Sequence, residues 1–485
     1  MPRSLKEKTI TGVIWTTFQR GGALLIGFIG NIILARLLTP DDYGCIGLLL
    51  IFTSIADVLI DGGLGSALVQ KKELNKIDCS TVFTANLVFS IILFGILFIC
   101  SPWISRYFGI PILEDVLRIE SISIVLRASY IIPASLLNRN LKFKDITIIT
   151  IVSHVLSIVL AIISACYGMG VWSLVVKNIS LQLFLCVLYH FSARWTFSIA
   201  FSWSIFKSLF SFGGKIALSN IVECIFSNIE SFVIGRRFSA KILGYYSQAK
   251  SLGQLPIYSM SMVANQVLFP VLSKLQEEDR AFVNGTRKSM ISITYIAFPL
   301  ITILCILSKP AIILLYSEKW EAAIPFLQMV CIAGFVNSVI HTNFSILKAK
   351  GKSNLLLFYQ VVINMLKLLL ILIGMNFGIM GILAGNIIGN YLGCIVLAYL
   401  SGKVVGYGLK QQIEDLYPSF LLSVVLGCLV FFIFVPIISM NAVLTIFVVF
   451  FIYSVAYILL SWILNFEGFR VYKEIIKNEL AKWYC

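Results

Sequence analysis

Apolar residues gather along this chain into fourteen stretches, near 12–34, 44–60, 81–103, 116–137, 146–167, 171–190, 212–234, 244–270, 289–308, 322–347, 354–374, 378–400, 417–436 and 441–464, with short polar connectors between them. A helix crosses a bilayer with roughly 20 apolar residues, and the stretches are close to that length. No connector is wide enough to hold a folded soluble domain. The pairs 146–190 and 354–400 are each interrupted by a Gly-containing joint, at 167–170 and 376–378, which predicts a tight turn rather than one long helix. The pattern predicts an all-α polytopic membrane protein of about fourteen transmembrane helices.

The connectors alternate in basic content, and that alternation orients the chain. With both termini cytoplasmic, the connectors on that side hold 24 Lys and Arg, among them Lys71, Lys72 and Lys76, Arg139, Lys142 and Lys144, and Lys348, Lys350 and Lys352. The opposite side holds 8 and the spans themselves 6. Cytoplasmic loops carry such an excess. One connector runs against the pattern: Arg236, Arg237 and Lys241 fall on the external side. The net charge of +15 is therefore mostly topology; it suits an anionic cytoplasmic leaflet and does not point to nucleic acid. A chain that is 59% apolar and 13% charged also excludes an ordinary soluble globule. The eleven cysteines are scattered singly with no CxxC pair, which fits neither a zinc site nor a disulfide framework. The basic segment 1–8 resembles the first part of a signal peptide, but no small-residue cleavage site follows, so the first stretch is expected to remain as a helix.

The chain repeats itself at an offset of about 200. Leu34-Ala35-Arg36 closes span one and Gly44 follows eight residues after the Arg; Ile234-Gly235-Arg236 closes span seven and Gly244 follows at the same interval. The basic segment from Leu136 to Lys142 after span four has a counterpart in Ile346 to Lys352 after span ten. The glycine joints before spans six and twelve match likewise. The order predicts two pseudo-symmetric six-helix lobes, 1–195 and 196–400, with two further helices and a cytoplasmic tail in 401–485. Parallel repeats about an axis along the membrane normal are a transporter architecture, with the substrate path between the lobes.

Helical spacing turns scattered polar residues into faces. Asn220, Glu223, Ser227 and Glu230 share one side of span seven; Ser247, Ser251, Gln254, Tyr258, Ser261 and Asn265 share one side of span eight; Gln360, Asn364 and Lys367 do so in span eleven. Such groups must meet protein or trapped water, since lipid satisfies none of them. They either bond neighbouring helices or line a wet cavity. Six cations lie within or at the edges of spans, Arg20, Arg127, Lys177, Lys215, Lys250 and Lys367, against the carboxylates Asp57, Glu223 and Glu230, with Asp61 at a span end. That balance points to an anionic ligand, for which Arg and Lys are the usual phosphate partners. Arg20, Arg127, Lys215, Lys250 and Lys367 are the expected cationic site. Glu223, Glu230 and Asp57 are candidates for exchanging a proton or sodium ion, or for balancing a neighbouring cation. Gly351-Lys352-Ser353 ends like a phosphate-binding loop but lacks the upstream glycine and strand, so nucleotide binding is rejected. No catalytic set, metal cluster or dinucleotide fingerprint emerges, and no cofactor is expected.

Several stretches taken together resemble the polysaccharide transporter branch of the multidrug/oligosaccharidyl-lipid/polysaccharide flippase superfamily, the Wzx-type O-antigen and exopolysaccharide flippases, with the colanic-acid exporter group most similar. They are Ile33-Leu34-Ala35-Arg36-Leu37-Leu38-Thr39-Pro40-Asp41-Asp42-Tyr43-Gly44, Gly63 to Gln70, Leu136 to Phe143, Gly170-Val171-Trp172-Ser173-Leu174-Val175, Ser211-Phe212-Gly213 and Leu243-Gly244-Tyr245-Tyr246, with Arg20 in the first span. The resemblance covers roughly 1–400, and every motif is structural rather than catalytic. It implies two six-helix lobes around a cationic cavity and a non-enzymatic function. The implied substrate is an undecaprenyl-pyrophosphate-linked oligosaccharide, flipped across a bacterial inner membrane for surface polysaccharide synthesis. Membrane lipids and the polysaccharide polymerase machinery are the implied partners.

Two other classes compete. A membrane polymerase or glycosyltransferase would carry a long external loop with catalytic residues, whereas the longest external connectors are near 101–115 and 308–321. A secondary permease or drug antiporter that exports cations would bury more carboxylate than cation, the reverse of the balance here.

Overall fold

The computed structural model describes residues 5–65, 68, 71, 74–195, 200–263, 269–275, 277–437 and 442–483. Its helices are α1 (Leu5–Leu37), α2 (Pro40–Asp61), α3 (Lys76–Phe108), α4 (Ile112–Glu120), α5 (Ile122–Arg139), α6 (Phe143–Cys166), α7 (Val171–Ala193), α8 (Trp203–Arg237) and α9 (Ala240–Val263). They continue with α10 (Phe269–Lys274), α11 (Asp279–Ile306), α12 (Ser308–Tyr316), α13 (Ile324–Ala349), α14 (Ser353–Gly374), α15 (Gly378–Val405), α16 (Leu409–Ile437), α17 (Ala442–Ile463) and α18 (Glu467–Trp483). Among the described residues there is no strand, as the apolar pattern predicts.

Twelve described segments are long and apolar enough to cross a membrane. One of them, Ser353–Val405, is the pair α14 and α15 joined by a 3-10 turn at Met375–Phe377, where the sequence places a tight joint. The other joint separates α6 from α7. Helix α9, rich in Ser, Gln and Lys, is not among the twelve, and 264–268 of the predicted eighth span lie outside the described residues. The outward faces are apolar: Phe432 is 74% exposed, Phe447 71% and Ile463 70%. Such a surface would be an aggregation hazard in water and is what lipid requires.

Two features escape the apolar pattern. The predicted span 116–137 is two helices, α4 and α5, broken at Ser121, whose Oγ donates to the Arg118 carbonyl at 2.6 Å. The connector 308–321, read as a loop, folds as α12 and the 3-10 helix Glu318–Ala323 and buries Trp320 and Tyr316.

The chain divides into two compact units, Met1–Gly244 and Tyr245–Cys485. In the first, α1 packs on α6, α6 on α7, α7 on α5, α3 on α5, and α2 on α8. Thr39-Pro40-Asp41-Asp42 starts α2 as a capping box: the Asp42 amide donates to Thr39 Oγ1 at 3.3 Å and the Thr39 amide donates to Asp42 Oδ2 at 2.8 Å. Two of the helix's orphan amides are satisfied this way, and Pro suits the first turn. The repeat has a structural counterpart here. Both α1 and α8 end two residues before a new helix, and Ser239 Oγ accepts from the Ile242 amide at 3.3 Å, in the place that Thr39 holds. The two following glycines sit in close contact with the other hairpin: a Cβ on Gly44 would overlap the Ala240 carbonyl, and one on Gly244 the Pro40 carbonyl. Only a residue without a Cβ allows that approach.

Basic side chains hold the ends of several helices in this unit. Arg139 Nη1 donates to the carbonyls of Leu68 and Lys71, holding two predicted cytoplasmic connectors together. At the other end the Arg236 guanidinium lies over the Tyr107 ring, 4.4 Å from its centroid. The anomalous external cation therefore has a local partner, a cation–π contact.

In the second unit, α15 packs against α14 through glycines spaced four residues apart, Gly381, Gly385, Gly389 and Gly393. This small-residue stripe allows close helix approach in lipid, and the Tyr359 hydroxyl donates to the Gly393 carbonyl at 3.1 Å across the seam. Helix α16 belongs to the same unit and packs on α11. Buried Gln412 of α16 pairs reciprocally with Asn343 of α13, at 2.9 Å in each direction. Lys350 Nζ meets Asp279 at 2.8 Å, joining two predicted cytoplasmic connectors.

Candidate substrate-handling site

The intramembrane polar groups of the first unit centre on α2, α5, α7 and α8. Arg127 Nη1 of α5 donates to Asp57 Oδ2 of α2 at 2.7 Å, with side-chain exposures of 37% and 28%. The expected site cation and the expected coupling carboxylate are thus one ion pair. A pair of this kind holds its charges in place without neutralising access: the guanidinium retains further donors for an anion. One turn further along α5, the Tyr130 hydroxyl donates to Gln182 Oε1 of α7 at 2.7 Å. Lys177 of α7 acts electrostatically on His154 of α6.

On α8 the predicted stripe divides. Asn220, Glu223 and Ser227 are exposed, and Glu230 is buried at 6%. The adjacent side of the helix meets α2: Asn228 Nδ2 donates to Ser54 Oγ at 3.2 Å and Cys224 Sγ to the same oxygen at 3.4 Å. Helix packing uses Ser54, Cys224 and Asn228, and three of the four stripe residues are exposed. Arg20 is exposed on α1. The Lys215 side chain lies outside what the structure describes, as do those of Tyr258 and Ser261; Asn265 lies outside the described residues altogether.

In the second unit, half-buried Lys367 rests its stem on Gly389, whose added Cβ would stand 2.5 Å from Lys367 Cγ. His341 of α13 lies within electrostatic reach of that lysine. Gln360 and Asn364, on the same helix as Lys367, are half-buried, as is Gln254 on α9. Lys250 Nζ stands 5.5 Å from the centroid of the Tyr246 ring.

One group was absent from the candidates read in the sequence. Glu120, the last residue of α4, is 3% exposed, and its Oε2 has no hydrogen-bond partner. The signal was present: Glu120 lies inside the predicted span 116–137, and Arg127 follows seven residues later, two turns along a helix. Among the described residues no group of His, Cys, Asp and Glu is arranged to hold a metal ion.

Residues 33–325 match the model of a family described as polysaccharide biosynthesis protein. The chain is 24% identical over 435 residues to the teichuronic acid biosynthesis protein TuaB of Bacillus subtilis, covering 88% of this chain and 89% of that protein. It is 24% identical over 429 residues to the lipopolysaccharide biosynthesis protein WzxC of Escherichia coli, covering 87% and 86%. Its fold is similar to that of a lipid II flippase, MurJ, in an inward closed conformation, with a TM-score of 0.72 at 18% identity over 92% of this chain and 98% of that one.

Proposed function

The chain belongs to the polysaccharide biosynthesis protein family, and we propose on that premise that it flips a lipid-linked oligosaccharide across a bacterial inner membrane. The observation that carries this is the family match, which contains the motif segments of the resemblance from Ile33 to Tyr246, with Arg20 alone outside it. The fold shared with a flippase and the many apolar helices support it. The substrate class follows from three chemistries in one molecule. A diphosphate calls for the cations Arg20, Arg127, Lys215, Lys250 and Lys367; a sugar chain calls for Asn, Gln, Ser and Tyr; an isoprenoid calls for apolar surface. Catalysis forms no part of the reading, and the 24-to-8 basic bias supports cytoplasmic termini. The two six-helix lobes are carried by the repeat at an offset of 200. Asp57, Glu223 and Glu230 remain the carboxylates proposed to exchange an ion during reorientation, and the polymerase machinery the proposed downstream partner.

The test is loss of function in the native host. Cells lacking the protein should accumulate lipid-linked oligosaccharide in the cytoplasmic leaflet, protected from glycosidase added to intact spheroplasts. Accumulation in the outer leaflet would place the block after translocation and overturn the reading.

A further inference from the structure

Glu120 is a carboxyl buried in the first unit at the junction of four helices. Its helix, α4, packs on α2, α3, α5 and α7. From α7 the Asn178 side chain faces the carboxyl, from α5 the Ser123 side chain does, and from α2 the charge of Asp57 acts on it. Two nearby cations are engaged elsewhere. Arg127 is bonded to Asp57, and Arg118, in the last turn of α4, pairs with Glu114 at 2.8 Å while lying over the Phe98 ring of α3. Lys177 precedes Asn178 on α7 and acts on His154.

Starting from Ile112, Glu120 lies about 12 Å along the helix at 1.5 Å per residue. An ionised carboxylate there, with one oxygen lacking any donor and a second carboxylate nearby, would be an uncompensated buried charge, and such charges are strongly destabilising. Something positive and small is needed. The groups facing the carboxyl are an amide and a hydroxyl; each can donate a hydrogen bond to the carboxylate, and each also carries an oxygen that can turn to a bound cation. Oxygen donors of this kind suit a hard cation, and they equally accept the hydrogen of a carboxylic acid.

We infer that Glu120, Asn178 and Ser123 form a site for one monovalent cation, a proton or Na⁺, inside the first unit. The cation supplies the charge that the unpaired oxygen lacks. The site adjoins the Asp57–Arg127 pair through the charge of Asp57. An anion that draws Arg127 away from Asp57 exposes that negative charge to Glu120 and tightens cation binding. Anion and cation occupancy are then linked reciprocally, as any coupling free energy must be. As a route to ion-coupled flipping this rests on the transport reading above; as a cation site it stands without it.

The experiment reads the carboxyl directly, with the purified full chain in liposomes and no glycolipid. Infrared difference spectra are recorded on changing pH, and on exchanging choline for Na⁺ at constant pH. Wild type should show a carboxylic-acid C=O band at neutral pH in choline that is lost in Glu120→Gln. Asn178→Ala, which keeps the carboxyl, should shift the band, so the result does not depend on Glu120→Gln folding. Loss of the band on adding Na⁺ identifies Na⁺ as an occupant; a band indifferent to Na⁺ and lost only in alkali identifies the proton. If neither variant changes the band or its responses, Glu120 holds no exchangeable cation and the inference fails. That failure leaves the transport reading intact, since no transport is measured.

Discussion

Arg287 of α11 grips Asp415 of α16 through two parallel hydrogen bonds, Nε to Oδ2 at 2.8 Å and Nη2 to Oδ1 at 2.7 Å. The same Nη2 reaches Glu467 of α18 at 2.7 Å, and the Tyr407 hydroxyl donates to Asp415 Oδ2 at 2.9 Å. One guanidinium thus ties three helices of the second unit together. This explains why α16 and α18, which fall outside the sequence repeat, pack as integral parts of that unit.

Replacing Arg287 by Lys should therefore cost stability, because an ammonium cannot form the planar two-bond grip. Asp415 is 9% exposed in its side chain and would be left short of donors. The expected loss is about 1–3 kcal/mol, the range for a buried polar group left unsatisfied. A fall in the thermal unfolding midpoint of the detergent-solubilised protein checks it, and a midpoint equal to wild type would show the network to be ornamental.

Tyr407 adds a pH signature to the same network. Burial first, and the Asp415 charge next, push its hydroxyl well above the usual tyrosine range. A group whose proton is held more tightly in the folded state gives stability that is present below its unfolded value, about 10, and is lost as pH rises beyond it. Stability should thus be flat near neutrality and fall in alkali. Tyr407→Phe should blunt that alkaline fall, and unfolding midpoints between neutrality and strong alkali measure it.

Gly389 should be intolerant of larger residues for the sake of Lys367. A Cβ there would stand 2.5 Å from Lys367 Cγ and 3.3 Å from its Cα, so the backbone of α14 as well as the flexible stem is in the way. Gly389→Leu should separate α14 from α15 and displace the lysine. Export of glycan should fall at least as far as in Lys367→Gln. Gly389→Leu with export like wild type would remove Lys367 from the transport proposal.

The spans and both glycine joints were legible because lipid demands apolar length and because glycine marks turns whatever the tertiary context. The segment Thr39-Pro40-Asp41-Asp42 stood out in the sequence only as part of a family-like stretch, and its capping role comes from the paired bonds between Thr39 and Asp42. The polar stripes were less so. Period 3.6 gives a face but not its neighbour, and α2 meets α8 through Cys224 and Asn228, which the stripe did not include. Glu120 was hidden for a different reason. It lies near the start of the predicted span 116–137, where the pattern gives its depth but no neighbour, and the helix break at Ser121 with the packing of α7 buries it. Likewise Arg127 and Asp57 are 70 residues apart, and nothing in either segment names the other as its partner.

That pair makes a further prediction. Removing either member alone leaves a charge within the membrane span without its counter-charge, whereas removing both leaves none. Asp57→Asn and Arg127→Gln should each lower stability, and the double variant should lose less than their sum. A coupling of about 0.5–3 kcal/mol is the range for residues in direct contact, with partial exposure favouring the lower end. Additive losses would show that the ion pair is incidental to folding.

Orientation can be checked where the structure leaves side chains open on the predicted opposite sides. Lys142, in a basic connector assigned to the cytoplasm, is exposed; Met169, in the glycine joint assigned to the exterior, is 45% exposed. In a background without native cysteines, Met169→Cys should react in intact cells with a membrane-impermeant maleimide, and Lys142→Cys only after permeabilisation. The positive-inside bias of 24 against 8 gives the sign. The anomalous connector gives a sharper test of the same rule. Arg237 and Lys241 are exposed beside the Arg236–Tyr107 contact, so Lys241→Cys should label like Met169→Cys despite its basic surroundings. Labelling of Lys241→Cys only after permeabilisation, with Met169→Cys labelled in intact cells, would break the alternation between α8 and α9. Reversal at all three positions would invert the chain in the membrane, and with it the direction in which a glycolipid could be carried.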